Sequence, residues 1–91
     1  MRVTTKWDKT MTHYIGRPSI FGNPISMRSE TDRMTVIAAF EDWVRNDPGF
    51  MAQRTRDAIR ALPENAVLGC YCAPKPCHGN VIVKLWKKMH S

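Results

Sequence analysis

No run of apolar residues in this 91-residue chain approaches the roughly 18 needed to cross a bilayer, and the opening MRVTTKWDKT lacks the apolar region of a secretory signal. A cytoplasmic chain with no membrane segment is therefore expected. Cysteine is scarce and odd in number, three residues in all, which excludes a disulfide framework and leaves metal binding, reactivity or plain burial. Low-complexity tracts, blocks of like charge and internal repeats are also missing, so the chain is neither a disordered tail nor a repeat array. Acidic residues are in short supply. Eight Asp and Glu against 14 Lys and Arg give a formal net charge of +6 and a pI near 9.7. Such a surface attracts phosphates, acidic proteins or anionic headgroups. The cations are spread along the chain, however, and a merely solvated cationic surface explains them equally well.

What remains is ordinary globular composition, 43% hydrophobic and 24% charged, in a chain long enough for one domain over residues 1–91. RVTTKW (2–7) is β-branched and reads as a first strand, and THYIG (12–16) as a short second one. RPSIFGNPIS is denied regular structure by its prolines and glycines. Val36, Ile37, Phe40, Trp43 and Val44 then recur at helical spacing behind a Ser29/Asp32 capping pattern, until NDPG stops the helix. A second helix, Phe50 to Leu62, is expected to turn Met51, Thr55, Ala58, Ile59 and Leu62 inward and to place Arg54, Arg56 and Arg60 on other faces. AVLGCYC (66–72) reads as a buried strand, and Val81, Ile82, Leu85, Trp86 and Met89 as the stripe of a third helix. The order implies a small single-domain α/β sandwich with a mostly parallel short sheet and about three helices. In such folds ligands bind beyond the carboxyl ends of the strands.

CYCAPKPCHG (70–79) lies at such an end and carries all three cysteines with His78. Three chemistries compete for it. Cys70, Cys72, Cys77 and His78 have the ligand types of a Cys3His zinc site, with His13 or His90 as substitutes, although zinc signatures normally separate two ligand pairs by a dozen residues or more. Cys77 at a helix start, near Lys75 and Arg17, suits a nucleophile with His78 or His13 as base. The third possibility is structural, with Cys70 filling core and His78 bonding backbone carbonyls. The helix is expected to start near Pro76 or Cys77, proline being favoured at the first helical position, with open amides from about Cys77 to Asn80 ready for an anion and Gly79 admitting a ligand to the backbone.

If THYIG pairs with AVLGC, the first loop closes over the same end of the sheet. Arg17 would bring a guanidinium fork and Asn23 a polar group, unless Asn23 is spent on its own loop and Arg17 is solvated.

YIGRPSIFGNPI and LGCYCAPKPCHGNVIVKLW together resemble domain of unknown function family 4326, found in bacteriophages and bacteria, through blocks of the type GRPS, GNP, C-x-C-x-P and CHG. The strand end leading to the Cys-His pair is also similar, more weakly, to another α/β family with a CHR motif. The resemblance places the family's polar positions on Arg17, Asn23, Cys70, Cys72, Cys77, His78 and Asn80. It implies a phage-encoded protein working in the host cytoplasm and assigns no reaction. Three functions follow: a module whose strand-end pocket of Arg17, Asn23, Cys72, Cys77, His78 and Asn80 takes a nucleotide or nucleic acid; an enzyme acting on a nucleotide-like substrate through Cys77 or His78; and a zinc-stabilised effector that binds a host protein.

Overall fold

A computed structural model describes residues 1–25, 28–71 and 75–91. Its centre is a strand, β3 (Val67–Cys70), lying between β1 (Arg2–Thr5) and β2 (His13–Tyr14) and parallel to both. The register sets Val3 and His13 beside Leu68, and Thr4 and Tyr14 beside Gly69. Because side chains alternate along a strand, Leu68 and Cys70 share one face, where both are buried, and Gly69 belongs to the other.

Each face is covered differently. The chain passes from β1 to β2 in the seven residues 6–12, crossing the Gly69 face on the way. A Cβ at Gly69 would run into the Met11 thioether and would lie 3.3 Å from Cα of Lys6, so glycine is what lets this short crossover lie against the sheet. Helices cover the opposite face. The third helix, α3 (His78–Met89), packs on β1 and β3, while α1 (Arg33–Asn46) and α2 (Phe50–Arg60) pack on α3 and on each other. Ile15, Phe40, Val44, Ile59, Leu68 and Ile82 are wholly buried between these layers. The architecture is the expected small α/β domain, its sheet parallel throughout.

Local chemistry sets the helix ends. Pro48 holds Asp47 in an extended conformation that α1 cannot continue, and the Asp47 carboxylate accepts from the amide of Gly49, the residue that opens α2. Arg56 donates to the carbonyls of Val44 and Asp47 at 2.6 and 3.0 Å. It therefore ties α2 to the end of α1, although its place in the sequence puts it off the apolar stripe. At the other end of α1 the expected Ser29 cap is not made. A single 3-10 turn, Glu30–Asp32, precedes the helix, and the Ser29 hydroxyl meets that of Thr31 instead of a backbone amide. Met51, expected inward, is 56% exposed. The buried arc of α2 runs through Ala52, Thr55 and Ile59, and a residue adjacent to Ala52 is turned about 100° away from it.

No helix among the described residues is long and apolar enough to cross a membrane.

Candidate functional site

The loop after β2 carries no regular structure, so its shape has to come from side chains that satisfy its backbone. Three do so. His78, the first residue of α3, places Nε2 2.8 Å from the Ile15 carbonyl. Thr55 of α2, a buried polar residue, donates its hydroxyl to the Ile20 carbonyl at 3.0 Å. Arg17 curls back so that Nε donates to the Asn23 carbonyl at 2.7 Å and Nη2 to that of Ile25 at 3.3 Å. The Asn23 side chain closes the turn, its Oδ1 accepting from the Ile25 amide at 2.8 Å. Two helices and the loop itself thus hold the segment over the carboxyl ends of β2 and β3.

The start of α3 is built with equal economy. Cys77 is the N-cap, so Pro76 stands outside the helix rather than at its first position. The Cys77 sulfur accepts from the Gly79 amide at 3.4 Å, and the Asn80 Oδ1 accepts from the Cys77 amide at 3.0 Å, a reciprocal capping box. The Asn80 amide in turn donates to the Cys77 carbonyl. Of the amides expected to be open from Cys77 to Asn80, those of Cys77, Gly79 and Asn80 are thus engaged within the cap. Gly79 serves packing: a Cβ there would sit 2.7 Å from Cδ1 of Ile15 and 3.1 Å from both methyls of Val3. Its bareness lets α3 approach the sheet.

Sulfur and imidazole each have partners nearby. Cys70 and Cys77 are 1% and 2% exposed, with their sulfurs 3.0 Å apart. Cys72 lies outside the described residues. The Nε2 of His78 is committed to a carbonyl, its ring rests edge-to-face on Phe40, and no group of three metal-ligating side chains occurs among the described residues. Burial pushes the His78 pKa below its ordinary value and the Arg17 charge adds to this, against the pull of the Ile15 and Phe21 carbonyls.

Between this loop, the end of β3 and the first turns of α1 lies a cavity of about 320 Å³, lined by Tyr14, Arg17, Asn23, Ile25, Arg33, Val36, Ile37, Tyr71, Cys77 and His78. Its walls are aromatic and aliphatic, and two guanidinium groups contribute charge. Arg33 is gripped by Glu30 through two bonds of 2.9 and 2.7 Å and donates to the Pro76 carbonyl at 3.0 Å, and Arg17 donates to the carbonyls of Asn23 and Ile25. A family model described as Domain of unknown function (DUF4326) matches residues 1–88. The chain belongs to the DUF4326 family. A relative from Enterobacteria phage T4, an uncharacterized 12.4 kDa protein of the nrdA-td intergenic region, is 25% identical over 89 residues, which cover 97% of this chain and 79% of the relative. No solved structure matches.

In this DUF4326 domain the cavity gathers Arg17, Asn23, Cys77 and His78 from the residues singled out in the sequence, and Asn80 lies outside it in shallower grooves beside α1. Tyr14, Ile25, Arg33, Val36, Ile37 and Tyr71 were not singled out. Val36 and Ile37 belong to the same apolar stripe as Phe40 and Val44, and nothing in the periodicity of α1 shows that its first turn overhangs an unfilled space. Tyr71 carried a signal: it alternates with Cys70 on a strand end, which turns it away from the core.

Proposed function

We propose that this DUF4326 domain is a cytoplasmic binding module whose strand-end cavity takes a phosphate-bearing ligand, a nucleotide or a segment of nucleic acid. The cavity itself carries this reading. It lies beyond the carboxyl ends of parallel strands, where such folds bind ligands, and its size suits a small molecule or a single residue of a polymer. Apolar walls of Tyr14, Ile25, Val36, Ile37 and Tyr71 fit a flat ring, and Arg17 at the rim fits an anion. The net charge of +6 acts in the same direction at longer range. The relationship to a phage protein is compatible with work in a host cytoplasm.

The bonds described for Cys77 and His78 hold backbone in place, so binding accounts for more of the site than a reaction does. Equilibrium titration with mononucleotides and with oligonucleotides, each at about 50 and 200 mM salt, tests the proposal. Saturable binding of at least one class is expected, weakened by Arg17→Ala. For the oligonucleotides, log affinity should fall with log salt at a slope of about 0.7 for each phosphate neutralised on a single strand. No saturable binding of either class overturns the reading.

A further inference from the structure

Beside the cavity, past the carboxyl ends of β1 and β3, two large aromatic side chains stand in solvent. Trp7 is 68% exposed and Tyr71 62%. Their placement follows from the sheet: β1 and β3 are adjacent, the register pairs Thr5 with Cys70, and the amide of Lys6 continues the ladder to the Cys70 carbonyl at 3.0 Å. The residues that follow the two strands are therefore neighbours. Trp7 and Tyr71 meet edge-to-face with ring centroids 5.7 Å apart, and Lys6 donates to the Tyr71 hydroxyl at 2.6 Å with its ammonium 5.0 Å from the Trp7 ring centroid. The Lys6 ammonium also sits over the Tyr71 ring, 3.9 Å from its centroid, so the edge-to-face contact and this cation cover part of the two rings, and the ring surface beyond them is what the high exposure of both side chains presents to water.

We propose that Lys6, Trp7 and Tyr71 form a stacking platform for a base of single-stranded nucleic acid, the same strand placing a neighbouring nucleotide in the cavity. The inference rests on the cavity's reading as a phosphate-bearing-ligand site and narrows its ligand to a polymer. Tyr71 makes the link, because it belongs to the aromatic pair and also lines the cavity. Exposed aromatic rings joined to cationic groups are the physical requirement for holding a single strand: rings accept the faces of bases, and cations follow the backbone. Lys6 on one side and Arg17 on the other supply that charge around Tyr71. A duplex does not meet the requirement, since its base faces are already stacked on one another.

The test uses the whole domain and three probes: a twelve-residue oligothymidylate, the same strand annealed to its complement, and thymidine monophosphate. The expected order of affinity places the single strand first. Trp7 does not line the cavity, so Trp7→Ala is expected to weaken the single strand roughly 5- to 150-fold, the range for one stacked base, and to leave the mononucleotide unchanged. Trp7→Phe keeps a ring and is expected to retain most of the affinity, which distinguishes stacking from damage to the fold. Monophosphate binding with no preference for the strand, or with no effect of Trp7→Ala on the strand, overturns the platform while the cavity reading stands; a duplex bound as tightly as the single strand also overturns it. Failure of every probe overturns both readings.

Discussion

Burial and the nearby Arg17 charge favour the neutral form of His78, its carbonyl partners favour the charged one, and burial prevails. The consequence is a pH dependence of stability with a definite sign. The folded-state pKa lies below the ordinary value of 6.5, so between those two values the unfolded chain binds more protons and stability rises with pH. The contribution is complete above pH 6.5 and is lost as pH falls from there toward the depressed value. Asp8, held low chiefly by the Thr10 hydroxyl, Glu30, held low chiefly by Arg33, and Glu41, held low chiefly by Lys84, lose theirs only at more acidic pH, below ordinary carboxylate values. Urea midpoints measured from pH 7 to pH 5 should therefore decline in the native protein and decline less in His78→Gln, which keeps an amide donor for Ile15 but does not titrate. Identical slopes would show that His78 does not control this window. Gly79 offers a second single-residue test. Alanine gains up to about 1 kcal/mol of helix propensity, but its methyl must displace Ile15 and Val3 in a packed layer, a cost of about 1–3 kcal/mol. A net loss of stability is expected in chemical denaturation, and a gain would show that the layer yields.

Among the elements, α3 has the most demanding start, because its cap is shared by two residues that look functional in sequence. Asn80→Ala removes the acceptor for the Cys77 amide. It should cost about 0.5–2 kcal/mol, the range for a lost cap, and leave ligand affinity unchanged once the protein is folded, since Asn80 does not line the cavity. A parallel loss of affinity would return Asn80 to the binding surface. That Asn80 caps its own helix and does not line the cavity is invisible in sequence for a physical reason. Periodicity identified α1, α2 and α3, and the apolar run identified β3, because burial repeats with the geometry of each element. The adjacency of β2 and β3 then correctly brought the two loops together. Whether a polar side chain at a helix start faces a ligand or its own backbone leaves no trace in spacing, so Asn80, Arg17 and His78 read as ligand groups although each bonds to main chain. The same ambiguity worked in reverse for Arg56, which spacing sets off the apolar stripe, and for Thr55, which spacing shows only as one more inward position; both prove to be ties to neighbouring segments.

At the scale of the whole molecule, the radius of gyration of 12.3 Å matches the roughly 12 Å expected of a compact chain of this length. The cavity walls come from β2, the first loop, α1, the end of β3 and the start of α3, so a bound ligand touches elements from both layers of a single core. Binding should then stabilise the entire domain and not a local patch. A ligand present at about 100 times its Kd adds about 2.7 kcal/mol to the folded state. In a domain of this size that corresponds to a rise in Tm of roughly 10–20 °C. The oligothymidylate is expected to produce such a shift in one sharp transition, smaller at 200 mM salt than at 50 mM because its backbone contacts are screened. Arg17→Ala should reduce the shift at equal ligand concentration. A bound strand that left Tm unchanged would have to grip folded and unfolded chains equally, as a diffuse cationic surface does, and the cavity would then have no part in the affinity.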